Sequence, residues 1–225
     1  VGSGDDIVTD TFNKSNGPSE TPEEHEFELR AQIGSIWSGG RLFIGMYTFL
    51  LASLVFSYFY LRSSNNGMQW RPHNQHAPVA YGWSIYLLMV ATALLAIYGQ
   101  RRLRKGDVAD FQVAGWTGVL CGLAALFLQI WQLQKLSFYP GASGYSSIFV
   151  GFAVMNIMSI VIGTYWLETT LARSLRLRRE LGGDKPELSM TETARMFRAG
   201  VASMAYFWGF LAIGGALLTA MFYVM

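Results

Sequence analysis

Five apolar runs, each about the 20 residues a helix needs to cross a bilayer core, leave this chain few folds to choose from. They occupy roughly 42–61, 79–98, 113–133, 146–167 and 201–225. The first reads LFIGMYTFLLASLVFSYFYL and the last VASMAYFWGFLAIGGALLTAMFYVM. In hydrocarbon, backbone N–H and C=O groups must be satisfied within a helix or a closed barrel. The runs are continuous rather than alternating, so they predict helices. With 52% of residues hydrophobic and only 14% charged, a soluble domain of 225 residues is a poor alternative. The expected fold is therefore all-α, a five-transmembrane-helix bundle over 38–225, preceded by a polar, acidic arm over 1–37.

Basic residues orient such a bundle. Lys14, Arg30 and Arg41 precede the first run. Arg101, Arg102, Arg104 and Lys105 follow the second. Arg173, Arg176, Arg178, Arg179, Lys185, Arg195 and Arg198 separate the last two. These segments share one side and hold 14 of the 17 basic residues, leaving Arg62, Arg71 and Lys135 for the other. The prediction is an N-terminus inside and a C-terminus outside. The charge serves orientation and leaves no nucleic-acid footprint. The first 40 residues lack the short apolar stretch after a basic start that marks a cleavable leader. The segment SETPEEHEFELR reads as a solvated arm that becomes helical near Glu23, with Ser19 or Thr21 as its cap. The loop RSSNNGMQWRPHNQHAP reads as turn-rich and external. No internal repeat supports an inverted-repeat transporter.

Intramembrane ionisable groups are the usual mark of chemistry inside a membrane. Here His25, His73 and His76 all fall outside the runs, so no imidazole is placed to hold a haem iron or copper. No catalytic residue, cofactor ligand or metal ligand is expected on this chain. A metal site at His73 and His76 is the weaker alternative to a solvated loop. The single Cys121, inside the third run, has no partner for an internal disulfide. The polar residues that enter the runs are Gln129 and Gln132 in the third, and Asn156 and Ser159 in the fourth. Asn156 and Ser159 are three apart and share a helix face. Glu168 is expected to snorkel to the interface near Arg173 and Arg176. Gly118 with Gly122, and Ala212 with Ala216 and Ala220, are spaced by four and predict close helix seams.

Four stretches in order resemble subunit III of the haem-copper respiratory oxidases, in the short five-helix form found in many bacteria. LLASLVFSYFYLR resembles the first shared helix, where a glutamate precedes aromatic residues. QIWQ resembles the family's Gln-x-x-Glu-aromatic. YSSIFVGFAVMNIMSIVIG resembles Tyr-Gly-Ser-x-Phe leading into Gly-Phe-His-Gly-x-His. AYFWGFLAIGG resembles Tyr-Tyr-Trp-His-Phe-x-Asp. The likeness covers about 38 to 225. Within it every ionisable motif position is neutral. Tyr47 stands for the first-helix glutamate, Gln132 for the glutamate after the retained Gln129, and Asn156 and Ser159 for the paired histidines. Trp208 is kept, while Gly209 and Ala212 stand for the final His and Asp.

The resemblance implies an accessory, non-catalytic subunit of an oxidoreductase complex, a cytochrome c or quinol oxidase. It would carry no redox centre, with haem and copper on partner subunits. It would steady catalytic subunit I and bind phospholipid. Arg41 and Arg198 are the candidate head-group anchors, with Arg101 and Arg102 beside them. Tyr47, Gln129, Gln132, Asn156, Ser159 and Trp208 are the candidates for polar packing. Asn156 is expected to pair with Gln132, Ser159 or Tyr47, or with its own helix backbone or a lipid. A structural subunit of another respiratory or oxygenase membrane complex, or a small transporter subunit, are the alternatives.

Overall fold

The computed structural model describes residues 21–65, 67–72, 75–177 and 191–224. Among these residues six helices follow one another: α1 (Pro22–Ser64), α2 (Gly67–Trp70), α3 (Val79–Arg104), α4 (Val108–Gln134), α5 (Gly144–Arg176) and α6 (Glu192–Thr219). A π-helical segment, Ala220–Val224, continues α6, and no strand occurs among the described residues. All but α2 are long and apolar enough to cross a membrane. The chain is an all-α membrane bundle.

The helix ends follow local chemistry. Thr21 caps α1 in a reciprocal box with Glu24, which selects Thr21 over Ser19, a residue outside the described ones. Ser143 caps α5 the same way with Ser146, and Thr191 caps α6. Between α3 and α4 only Lys105, Gly106 and Asp107 intervene. Gly106 has φ +89, the left-handed conformation that ends a helix without a Cβ penalty. So short a turn makes α3 and α4 antiparallel neighbours, and theirs is the most extensive helix contact.

α3 packs between α4 and α6, and α5 closes the bundle against α4. α1 lies over the α5–α6 seam. Its 43 residues extend about 64 Å, twice the hydrocarbon thickness, so roughly its first half projects beyond the apolar run. α1 runs unbroken through position 38, where arm and membrane segment meet. The projecting part is docked. Arg195 of α6 grips Glu26 with both terminal nitrogens at 2.9 and 3.0 Å, His25 lies 3.2 Å from Glu192, and Leu29 is buried. We call this the arm end of the bundle and the opposite one the distal end.

The α4–α5 seam is built on glycine. A Cβ on Gly118 would lie 3.2 Å from Leu167, and one on Gly122 would press on Thr164. The alanine stripe of α6 does not behave as its spacing predicts. Ala216 is exposed, and the buried face of α6 is carried instead by Val201, Met204, Ala205, Trp208, Leu211 and Gly215. Small size marks where helices can approach, and the bulkier neighbours decide which face turns inward. The loop after α1 also differs from expectation. It folds through α2 and buries Trp70 against Tyr58 and Tyr145.

Candidate functional site: a buried amide ladder

The polar residues of the spans converge near the distal end. Gln129 and Gln132 lie three apart on α4 and so face the same way. Asn156 Nδ2 of α5 donates to Gln129 Oε1 at 2.8 Å. Gln129 Nε2 donates to Gln132 Oε1 at 2.9 Å. Gln132 Nε2 donates to the Tyr223 hydroxyl at 2.7 Å and to the Pro78 carbonyl at 3.4 Å. One ladder thus joins α5, α4, the start of α3 and the C-terminal π-helical segment. Gln132 is fully buried, and Gln129 and Asn156 nearly so. Buried polar groups without partners are costly, and each amide here answers the next.

This corrects the expected partner of Asn156. Gln132, Ser159 and Tyr47 are not its bonding partners; Gln129 is. Ser159 is turned to α1, where its oxygen lies 2.7 Å from the Tyr47 hydroxyl and donates to the Met155 carbonyl at 2.7 Å. With its one hydrogen so engaged, Ser159 is the acceptor for Tyr47. Asn156 and Ser159 therefore serve two different seams.

The ladder lines a cavity of about 50 Å³ with Met89, Phe152, Gly215 and Thr219. Tyr223 fits because α3 has Gly82 there, where a Cβ would overlap the phenol ring. The π-helical turn sets Tyr223 into the ladder while Phe222 packs edge-on against Tyr58, Phe149 and Phe152. Such turns re-aim side chains relative to an α-helix. Sequence reading missed Tyr223, Trp70 and Gly82. A hydroxyl at the end of an apolar run was the only available signal. Chemically the ladder offers amides and a phenol, which hold geometry and give hydrogen bonds but neither bind redox metals well nor ionise near neutrality.

The remaining candidates are dispersed. Trp208 is fully buried and donates its Nε1–H to the Gly163 carbonyl at 3.3 Å. Arg41 is exposed, its guanidinium 5.8 Å from the centre of the Trp37 ring. Arg198 is half-buried, and its Nε has no hydrogen-bond partner. Arg102 is held by Tyr98, Asp107 and Asp110 at 2.9, 3.2 and 3.3 Å, so its charge is answered within the turn. Glu168 is exposed. An apolar groove of about 520 Å³ lies between α1, α3 and α6, with Trp37 and Gln100 at its arm end and Ile213 further in. His76 is exposed and His73 lies outside the described residues. Among the described residues no three His, Cys, Asp or Glu side chains come together.

No family model matches the chain. It is similar to a protein of Bacillus subtilis (strain 168) named cytochrome c oxidase subunit 3, being 23% identical over 175 residues, which are 75% of this chain and 80% of that relative.

Proposed function

We propose that this chain is an accessory, non-catalytic membrane subunit of a haem-copper terminal oxidase, similar to cytochrome c oxidase subunit III. The likeness to a protein of that name across three quarters of the chain carries the reading. The buried polar groups of the spans are amides and hydroxyls, which suit a packing role. On this reading haem and copper sit on partner subunits, catalytic subunit I among them, and this chain steadies that partner in a bacterial cell membrane during aerobic respiration. The electron donor, cytochrome c or quinol, is a property of those partners. Purification in mild detergent tests the reading. The chain should bring down partners whose optical spectrum shows haem, and the isolated chain should show none. Recovery without any haem-bearing partner overturns it.

The same reading includes bound phospholipid. The groove between α1, α3 and α6 has the apolar lining an acyl chain takes. Arg41 stands over its Trp37, and Arg198 lies one turn before its Ala202 on the same face of α6. On this reading both would meet a head group at the arm-end interface. Native mass spectrometry should show a lipid lost on Arg41→Ala or Arg198→Ala. Unchanged lipid occupancy in both variants removes this site.

A further inference from the structure

The two ends of the bundle differ in a way that goes beyond the reading above. Among the described residues every Asp and Glu lies in the arm-end half of the bundle, together with ten basic residues. The described distal residues carry Arg62, Arg71 and Lys135 and no Asp or Glu side chain. Among the described residues the ion pairs accordingly lie at the arm end. The three distal cations instead face aromatic rings. Arg62 lies 5.9 Å from the centre of Tyr58, Arg71 5.4 Å from Tyr145, and Lys135 5.1 Å from Trp131. A ring fixes the plane of a guanidinium without neutralising it. Cations held against rings in this way stay charged, and they make this end attractive to anions.

One of the three opens on a pocket. A cavity of about 190 Å³ is lined by Arg71, His76, Tyr145 and Tyr223, with Phe222 and Val224 among its apolar walls. That is room for on the order of a dozen water-sized spheres, ample for a tetrahedral oxyanion. Tyr223 also ends the amide ladder. Its oxygen accepts from Gln132, which leaves its own O–H to give. Arg71 brings a planar fork of N–H donors that matches phosphate oxygens in pairs. Apolar walls beside these donors lower the local dielectric and strengthen the attraction.

We propose that the distal pocket binds a phosphate group against Arg71, with Tyr223 as a second donor. The phosphate is either free or the head of a lipid whose chains lie along the bundle. The test uses the purified full chain, native mass spectrometry and phosphatidylglycerol as the probe, with diacylglycerol as the phosphate-free control. Phosphatidylglycerol should be retained and diacylglycerol not. Arg71→Gln should lower retention about tenfold or more, the loss expected for a charge-assisted hydrogen bond. Tyr223→Phe should cause a smaller loss in the same direction. Arg41→Gln, at the other end, should leave the Arg71-dependent retention in place. Inorganic phosphate that displaces the lipid marks a site for the free anion as well; retention that phosphate does not disturb marks a lipid head-group site. The proposal is overturned if neither Arg71→Gln nor Tyr223→Phe changes retention, or if diacylglycerol is retained equally. It is also overturned if Arg71→Gln releases a partner chain from the complex while lipid retention stays the same, since the pocket would then be a protein interface.

Discussion

Asn156 gives an N–H to Gln129, Gln129 gives one to Gln132, and Gln132 gives two, to Tyr223 and Pro78, so deleting a rung strands the group it served. Asn156→Leu removes the donor to Gln129 and places an alkyl group beside it. Interhelical hydrogen bonds in membranes are worth about 0.6 kcal/mol on average and about 1.7 at most, so the variant should lose about 1 kcal/mol. A double-mutant cycle sharpens this. Asn156→Leu and Gln129→Leu should be non-additive by a similar amount, while Asn156→Leu and Tyr47→Phe should add, because they break separate seams. Denaturant titration in detergent measures both. The ladder holds no group that ionises near neutrality, so in the assembled complex Asn156→Leu should not move the pH profile of oxygen consumption. A profile displaced by a full unit with assembly intact would show that the ladder orders a proton path.

The helices are held by two kinds of contact that respond differently to perturbation. In the core, α5 and α6 meet where Trp208 lies over Gly163, and a Cβ there would sit 2.9 Å from the indole ring. Trp208 is fully buried and cannot swing clear. Gly163→Ala should therefore destabilise by about 1–3 kcal/mol, with a lower melting temperature as the readout. At the arm end, α1 is tied to α6 by the Glu26–Arg195 pair, whose carboxylate Arg30 also contacts at 3.1 Å. These groups are partly exposed, so salt should weaken them. Glu26→Gln should raise amide hydrogen exchange in the first turns of α1 and leave exchange in its apolar half unchanged. Added salt should move wild type in the same direction.

Across the whole molecule, the basic-residue bias predicts which end faces the cytoplasm. In a Cys121→Ser background, Met68→Cys in α2 should react with an impermeant reagent on intact cells, and Lys105→Cys in the α3–α4 turn should not. The reverse pattern would invert the orientation. Deleting the chain from its complex should leave the haem spectrum of the partners nearly unchanged while shortening the number of turnovers before inactivation. The first expectation follows from ligand chemistry, since the spans supply no histidine. The second follows from the proposed function, on which removal would bare a partner surface covered by the bundle.

Length and apolarity determined the five spans, because hydrocarbon leaves the backbone no partner outside a helix. The start of α1 was equally readable, since Thr21 and Glu24 form a local motif that needs no distant contact. That Gln129, Gln132 and Asn156 enter the spans was readable too, and polar groups in hydrocarbon need partners. Who bonds whom was not. Asn156 could reach several polar groups, and the rotation of α4 against α5, set by Gly118 and Gly122, brought Gln129 to it. Tyr223 joined only because a π-helical turn re-aimed it and Gly82 left room. The alanine stripe of α6 failed as a guide for the same reason: a helix face is buried by what its neighbours offer, and spacing along one helix carries no record of its neighbours.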